Sequence, residues 1–336
     1  MQRFCRHNRF VERCPICRET VAPPEGAGRR AGAWDSDPAH PDPAHSGRTA
    51  GGRARRGSAQ RVRRRTGVHV SHERRAEDDG YRSPLAPGLR ASQDAARLAE
   101  EVAFADGRLL ALTTAPPDLY GEMREQEDPE QATWMCFLSA YLCPLEGADP
   151  FAGIRRALEA DWRAGELPNL DGVPLGPRTS HDPARGDATL RAYLQWTERA
   201  SAFVGDPSWT PGRRFERLFE RLTLPGLARM GRYELLLTAG RIGLCELRAD
   251  ALCFTSAPGA AHGDLATLAA KRIFGIGDPI HLEHRARELA KAMSVPVEAL
   301  DLALANWEAG ERATLGVAPE ALDGHALERA RAALDL

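Results

Sequence analysis

The sequence predicts an all-α body. From residue 92 onward, apolar residues recur at three- and four-residue steps in one segment after another. Gly, Pro and Asp punctuate the joins between those segments. No run of alternating β-branched residues suggests a substantial sheet. With 43% hydrophobic residues among 336 positions, the chain has enough apolar surface for one sizeable core or two modest ones.

Residues 1–20 read as a small knuckle of their own. Cys5, His7, Cys14 and Cys17 follow the spacing C-x-H-x6-C-x2-C, and the CPIC turn is a common way for two thiolates to reach one tetrahedral ion. Four ligands leave no open position for a substrate. The expectation is therefore a structural Zn2+ that folds a segment too short to build a core. Arg3, Arg6, Arg9, Arg13 and Arg18 surround these ligands and would make the knuckle a positive knob.

Residues 21–91 change to Pro, Gly, Ala, Ser, Asp and Arg with almost no aliphatic side chains, which predicts a disordered linker. Within it, Arg53, Arg55, Arg56, Arg61, Arg63, Arg64 and Arg65 form a positive run suited to a nucleic-acid backbone, or simply to solvent.

The helical body spans residues 92–336. Ser92 is the expected N-cap of DAARLAEEVAFADGRLLALT, and further helices are expected over PEQATWMCFLSAYL and FAGIRRALEADWRAG. A polar loop, ELPNLDGVPLGPRTSHDPARG, then precedes the helix DATLRAYLQWTERASAFVG. Structureless connections of that length are uncommon inside compact domains, so the loop is either functional or slack. GRRFERLFERLTLP, GRYELLLTAGRIGL, GDLATLAAKRIFG, PIHLEHRARELAKAM, VEALDLALANWEAGER and HALERARAALDL complete the set of expected helices.

Composition narrows the setting. The net charge of -2 conceals an arginine-rich first ninety residues and a more acidic remainder. No run of about eighteen apolar residues exists, and the opening MQRFCRHNRF lacks the apolar region of a secretory signal, so no membrane partner is expected. Seven cysteines, three of them in the first seventeen residues, do not resemble a disulfide framework; a reducing, cytoplasmic setting is expected. Cys136, Cys143, Cys245 and Cys253 sit in apolar contexts that suit core packing better than ligation.

The stretch LTLPGLARMGRYELLLTAGRIGL sets a Leu-Pro-Gly turn and Gly231 directly before an apolar helix. This resembles a helix-hairpin-helix, in which backbone N–H groups at a helix start hold a phosphate oxygen without reading sequence. Gly231 would give the close approach, Arg229 and Arg232 the charge, and Tyr233 a stacking or hydrogen-bonding surface. An ordinary turn inside a helical bundle would have the same pattern.

Asp250 lies nineteen residues beyond Gly231, in LRADALCF. A similar offset separates the hairpin from the active-site aspartate of the helix-hairpin-helix DNA glycosylases. The hairpin departs from theirs, because Gly231 stands five residues after Gly226 and no lysine nucleophile occupies the following turn.

The segments FLSAYLCPLEGADPFAGIRRAL and GPRTSHDPARGDATLRAYLQW, taken with the hairpin-like GRYELL, are similar to the amino acid:DNA transferases, also called α-glutamyl/putrescinyl thymine pyrophosphorylases. The resemblance covers roughly residues 95–290. It implies DNA as partner and a transfer in which an amino acid or amine replaces the pyrophosphate of an activated hydroxymethyluracil.

Such chemistry needs a cradle for the leaving group, a base for the ammonium and a pocket for an extruded nucleotide. Arg178, His181, Arg185, Lys271 and Arg272 are the phosphate-binding candidates; Asp250 is the candidate base, with Glu234 in reserve. Two other functions remain open: a zinc-containing DNA-binding protein without catalysis, and a DNA glycosylase. A cavity at Asp250 separates the enzymes from the binding module.

Overall fold

The computed structural model describes residues 76–196, 199–254, 264–318 and 322–336. The expected zinc ligands Cys5, His7, Cys14 and Cys17, and the arginine run, lie outside the described residues. Among those residues every regular element is a helix, and no helix is long and apolar enough to cross a membrane.

Helix α1 spans Ser92–Thr114 and buries Leu98, Val102, Ala105, Leu109 and Leu112, a stripe at three- and four-residue steps. Ser92 is its first helical residue and not its cap. Its N–H and hydroxyl instead donate to the Asp79 carboxylate, at 2.9 and 2.5 Å. The hydroxyl bond is the larger reason that the Asp79 carboxyl is held below the usual carboxylate range. The expected linker therefore ends earlier than residue 91. Residues 76–91 are irregular, yet they bury Ala86 and Leu89, and the Gly88 N–H donates to the Ile273 carbonyl at 2.8 Å.

Helix α2, Asp118–Glu125, carries only Leu119, Tyr120 and Met123 as an apolar signal, too few to predict it from sequence. Helix α3, Pro129–Leu142, matches its expected span and starts at Asp128, whose carboxylate accepts from the N–H groups of Glu130 and Gln131. Its residues from Ala132 to Leu142 are all buried. The expected helix over residues 151–165 is instead broken into α4, Ala152–Ala157, and a single 3-10 turn at Trp162–Ala164. Asp161 causes the break: its carboxylate takes the N–H groups of Arg163 and Ala164, both at 3.1 Å, in competition with a continuous helix.

The next expected helix is likewise divided, into α5, Gly186–Gln195, and α6, Arg199–Val204. Helices α7, Pro211–Arg221, and α8, Arg229–Arg241, follow and are joined by the Leu-Pro-Gly turn, where Gly226 takes φ +77. Then come α9, Leu265–Phe274; α10, Pro279–Met293; α11, Ala299–Ala309; and α12, Gly324–Ala333.

Two helices that are apolar nearly all round sit at the centres of the packing. Helix α3 is enclosed by α2, α4, α6 and α8, and α11 by α1, α9 and α10. Helix α1 packs on α8 and joins the two sets.

The polar loop before α5 is structural. Gly176 and Ser180 donate backbone bonds to the carbonyls at the end of α3, so the loop runs as a strap from α3 to the start of α8. A Cβ on Gly176 would stand 2.6 Å from the Cys143 carbonyl oxygen, so only glycine lets the two backbones meet.

Candidate functional site

The turn between α7 and α8 forms where it was expected, but its surface is not the one expected. Helix α8 begins at Arg229, so Gly231 lies within its first turn, buried, with a would-be Cβ meeting Ser180 Oγ and, at 2.7 Å, Leu227 Cδ1. The strap covers the start of the helix, and a phosphate has no approach to Gly231.

Arg229 is 4% exposed. Its guanidinium bonds the Asp301 carboxylate at 2.5 Å and the Leu252 carbonyl at 2.7 Å, and lies 3.4 Å from Asp264. Burial alone would lower its pKa, but Asp301 and Asp264 outweigh burial and hold it charged, above the ordinary value. The reading of Arg229 as a phosphate ligand is thereby corrected: a buried cation is retained by its carboxylates.

Tyr233 is fully buried and donates to the Ala251 carbonyl at 3.2 Å, so it offers no surface for stacking; burial pushes its phenol well above the ordinary value. Arg232 is half-buried over the Phe219 ring, 4.4 Å from its centroid, and donates to the Phe219 carbonyl.

The phosphate-binding candidates do not converge. Arg178 is buried and bonds Asp301 at 3.0 Å, completing a cluster in which one carboxylate bridges two guanidinium groups. His181 meets the Tyr141 hydroxyl through Nδ1 at 3.0 Å, and burial lowers its pKa below the ordinary histidine value. Arg185 is exposed beside Asp182. Lys271 and Arg272 lie in the last turn of α9, where Arg272 pairs with Glu308. The reserve base Glu234 is paired with the buried Arg108 at 2.6 Å and also accepts from Thr238 Oγ1, so its carboxylate joins α8 to α1.

Asp250 has a different environment. It is exposed and lines a cleft of about 510 Å3 between α7 and α10, together with Thr210, Gly212, Arg213, Arg217, Glu283 and Arg287. The cleft falls within the size range of ligand pockets, roughly 300–1,000 Å3. Thr210 caps α7, its hydroxyl accepting from Arg213 N–H at 3.2 Å, so Asp250 is not needed as that helix's cap.

Comparison with known proteins adds no relative. No protein-family model, curated protein or solved structure matches the chain. The chemistry of the cleft has to be read from its own residues.

Arg213 and Arg217, one turn apart on α7, and Arg287 on α10 line it beside the acids Asp250, Glu216 and Glu283. None of Arg178, His181, Arg185, Lys271 and Arg272 lines it. The three cleft arginines carry no signal in the sequence because they occur in ordinary amphipathic helices, and only the fold sets residues of α7 and α10 around one cleft. Cys253 also lines the cleft, where burial pushes its thiol up to about 12. At neutral pH it is a protonated thiol and a poor nucleophile.

Proposed function

We propose that the helical body modifies DNA: the α7–α10 cleft takes an extruded pyrimidine whose hydroxymethyl group carries a pyrophosphate ester and exchanges the pyrophosphate for an amino acid or amine. One observation carries this reading. Asp250, an aspartate one helix beyond the turn, faces a cleft of about 510 Å3 beside the first helix of that turn. A pure DNA-binding module needs no such cavity.

In this reading Asp250 takes a proton from the incoming ammonium, and the freed nitrogen attacks the methylene carbon. The C–N bond forms as the C–O bond breaks, and pyrophosphate leaves with the electron pair. The second nitrogen proton passes to solvent. Arg213, Arg217 and Arg287 meet the charge on the departing phosphates, where guanidinium groups suit planar, bidentate contact.

The test offers an oligonucleotide bearing the pyrophosphorylated base, with a panel of amino acids and polyamines, and follows pyrophosphate release. Asp250→Asn should lower the rate about a hundredfold or more with DNA affinity nearly unchanged. Release without any amine would indicate hydrolysis, and loss of the base itself would indicate a glycosylase. No release with any donor would favour DNA binding without catalysis.

A further inference from the structure

Asp250 belongs to an irregular segment that α10 pins in place. Glu283 accepts the N–H of Leu252 through Oε2 at 2.8 Å and the N–H of Phe254 through Oε1 at 2.7 Å. One turn further along the same helix face, Arg287 donates Nε to the Asp250 carbonyl at 2.8 Å. Alternate residues 250, 252 and 254 are thus tied to one rigid helix, and between the two tied N–H groups Cys253 takes the left-handed φ of +56. With its backbone held this way, the Asp250 side chain is directed across the cleft wall onto the first turn of α7.

That turn has no side chain where the carboxylate arrives. A Cβ built on Gly212 would stand 2.6 Å from the Asp250 carboxyl carbon, 3.2 Å from Oδ1 and closer still to Oδ2. Conformational freedom does not explain glycine here, because Gly212 is not among the residues with positive φ. Helix propensity argues against glycine at this position, since alanine is the better helix former. The remaining reason is space for the carboxylate.

We propose that Gly212 is a positioning residue: it leaves the start of α7 bare so that the Asp250 carboxylate stands at the cleft wall, in the orientation from which it takes the proton. The catalytic part of this statement rests on the reading of Asp250 as the base. The positioning part can be measured independently of turnover.

The experiment uses the full chain as wild type, Gly212→Ala, Asp250→Ala and the double variant. Gly324→Ala serves as a control at the start of α12, where an added Cβ meets nothing within 4 Å. Gly212→Ala should raise the Tm by about 2 °C in the Asp250→Ala background and by less when Asp250 is present, since the carboxylate must then turn away from the new methyl group. The carboxyl 13C resonance of Asp250, assigned by its loss in Asp250→Ala, should move in Gly212→Ala and stay in place in Gly324→Ala. With an accepted donor, Gly212→Ala should lower kcat about tenfold with KM for DNA unchanged.

Equal Tm gains in both backgrounds with an unmoved resonance would overturn the positioning role. A moved resonance with wild-type kcat would overturn the catalytic part, since the carboxylate would then have no function at its native position. Absence of turnover in the wild type with every donor counts against the transferase reading, and the Tm cycle and the resonance still decide the positioning.

Discussion

At the scale of single residues, the chain uses its arginines in two ways that look the same in sequence. Arg229 and Arg213 both sit in the first turn of a helix, yet Arg229 is buried against Asp301 and Asp264 whereas Arg213 faces the cleft. Asp301 shows the energetics. Burial would raise its carboxyl, but Arg229 first and Arg178 second outweigh burial and hold it below the ordinary value. A carboxyl depressed in the folded state adds stability that is present above its unfolded pKa of about 3.9 and is lost as pH falls through the folded value. Arg229→Met should therefore cost about 3 kcal/mol or more at neutral pH, because a buried charge loses its main partner. The deficit should shrink as pH falls, because Asp301 is then protonated in both proteins and no longer needs Arg229. Urea titrations of the two proteins at pH 7 and across the acid range check both; a deficit that stays constant with pH would mean that Arg178 alone holds Asp301 down.

At the scale of elements, close packing decides what propensity leaves open. Gly240 lies near the end of α8, and a Cβ there would stand 3.1 Å from both the carbonyl carbon and the Cβ of Leu247. Alanine would gain about 1 kcal/mol of helix propensity but would push against backbone, where overpacking costs about 1–3 kcal/mol. The clash should win, so thermal unfolding of Gly240→Ala should occur below wild type; a rise in Tm would mean that the segment after α8 yields freely. The helix patterns themselves were largely legible. The spans of α3 and α10 match their expected stretches because a cap, a proline and an apolar series agree there. The break after α4 was not legible, since Asp161 in sequence is one polar residue on a helical pattern, and its capping of Arg163 and Ala164 emerges only once the chain turns.

At the scale of the whole molecule, the polar residues of α8 connect the two helical groups. Glu234 reaches Arg108 on α1, Arg229 reaches Asp301 on α11, and Arg241 pairs with Glu298 just before α11. The proposed contact with a nucleic-acid backbone can be tested separately on the arginine-rich residues before the body. Deleting residues 21–75, which spares the packed stretch from 76 onward, should weaken DNA binding most at low salt. It should also flatten the slope of log affinity against log salt by about 0.9 for each phosphate that the tail had neutralised. An unchanged slope in a salt series would remove the tail from the DNA-binding account.

The amino-acid sequence by itself determined the helical class, most helix spans and the singling out of Asp250, because each depends on local period, capping chemistry or the order of residues along the chain. Tertiary structure alone decided which charges are available. Arg178 and Arg229 became buried partners of Asp301, and Glu234 the partner of the buried Arg108, while Arg213, Arg217 and Arg287 came to line one cleft with Asp250. The physical reason is that the energetic meaning of a charge depends on its solvation and its nearest opposite charge, and both are set by contacts between residues far apart in the chain.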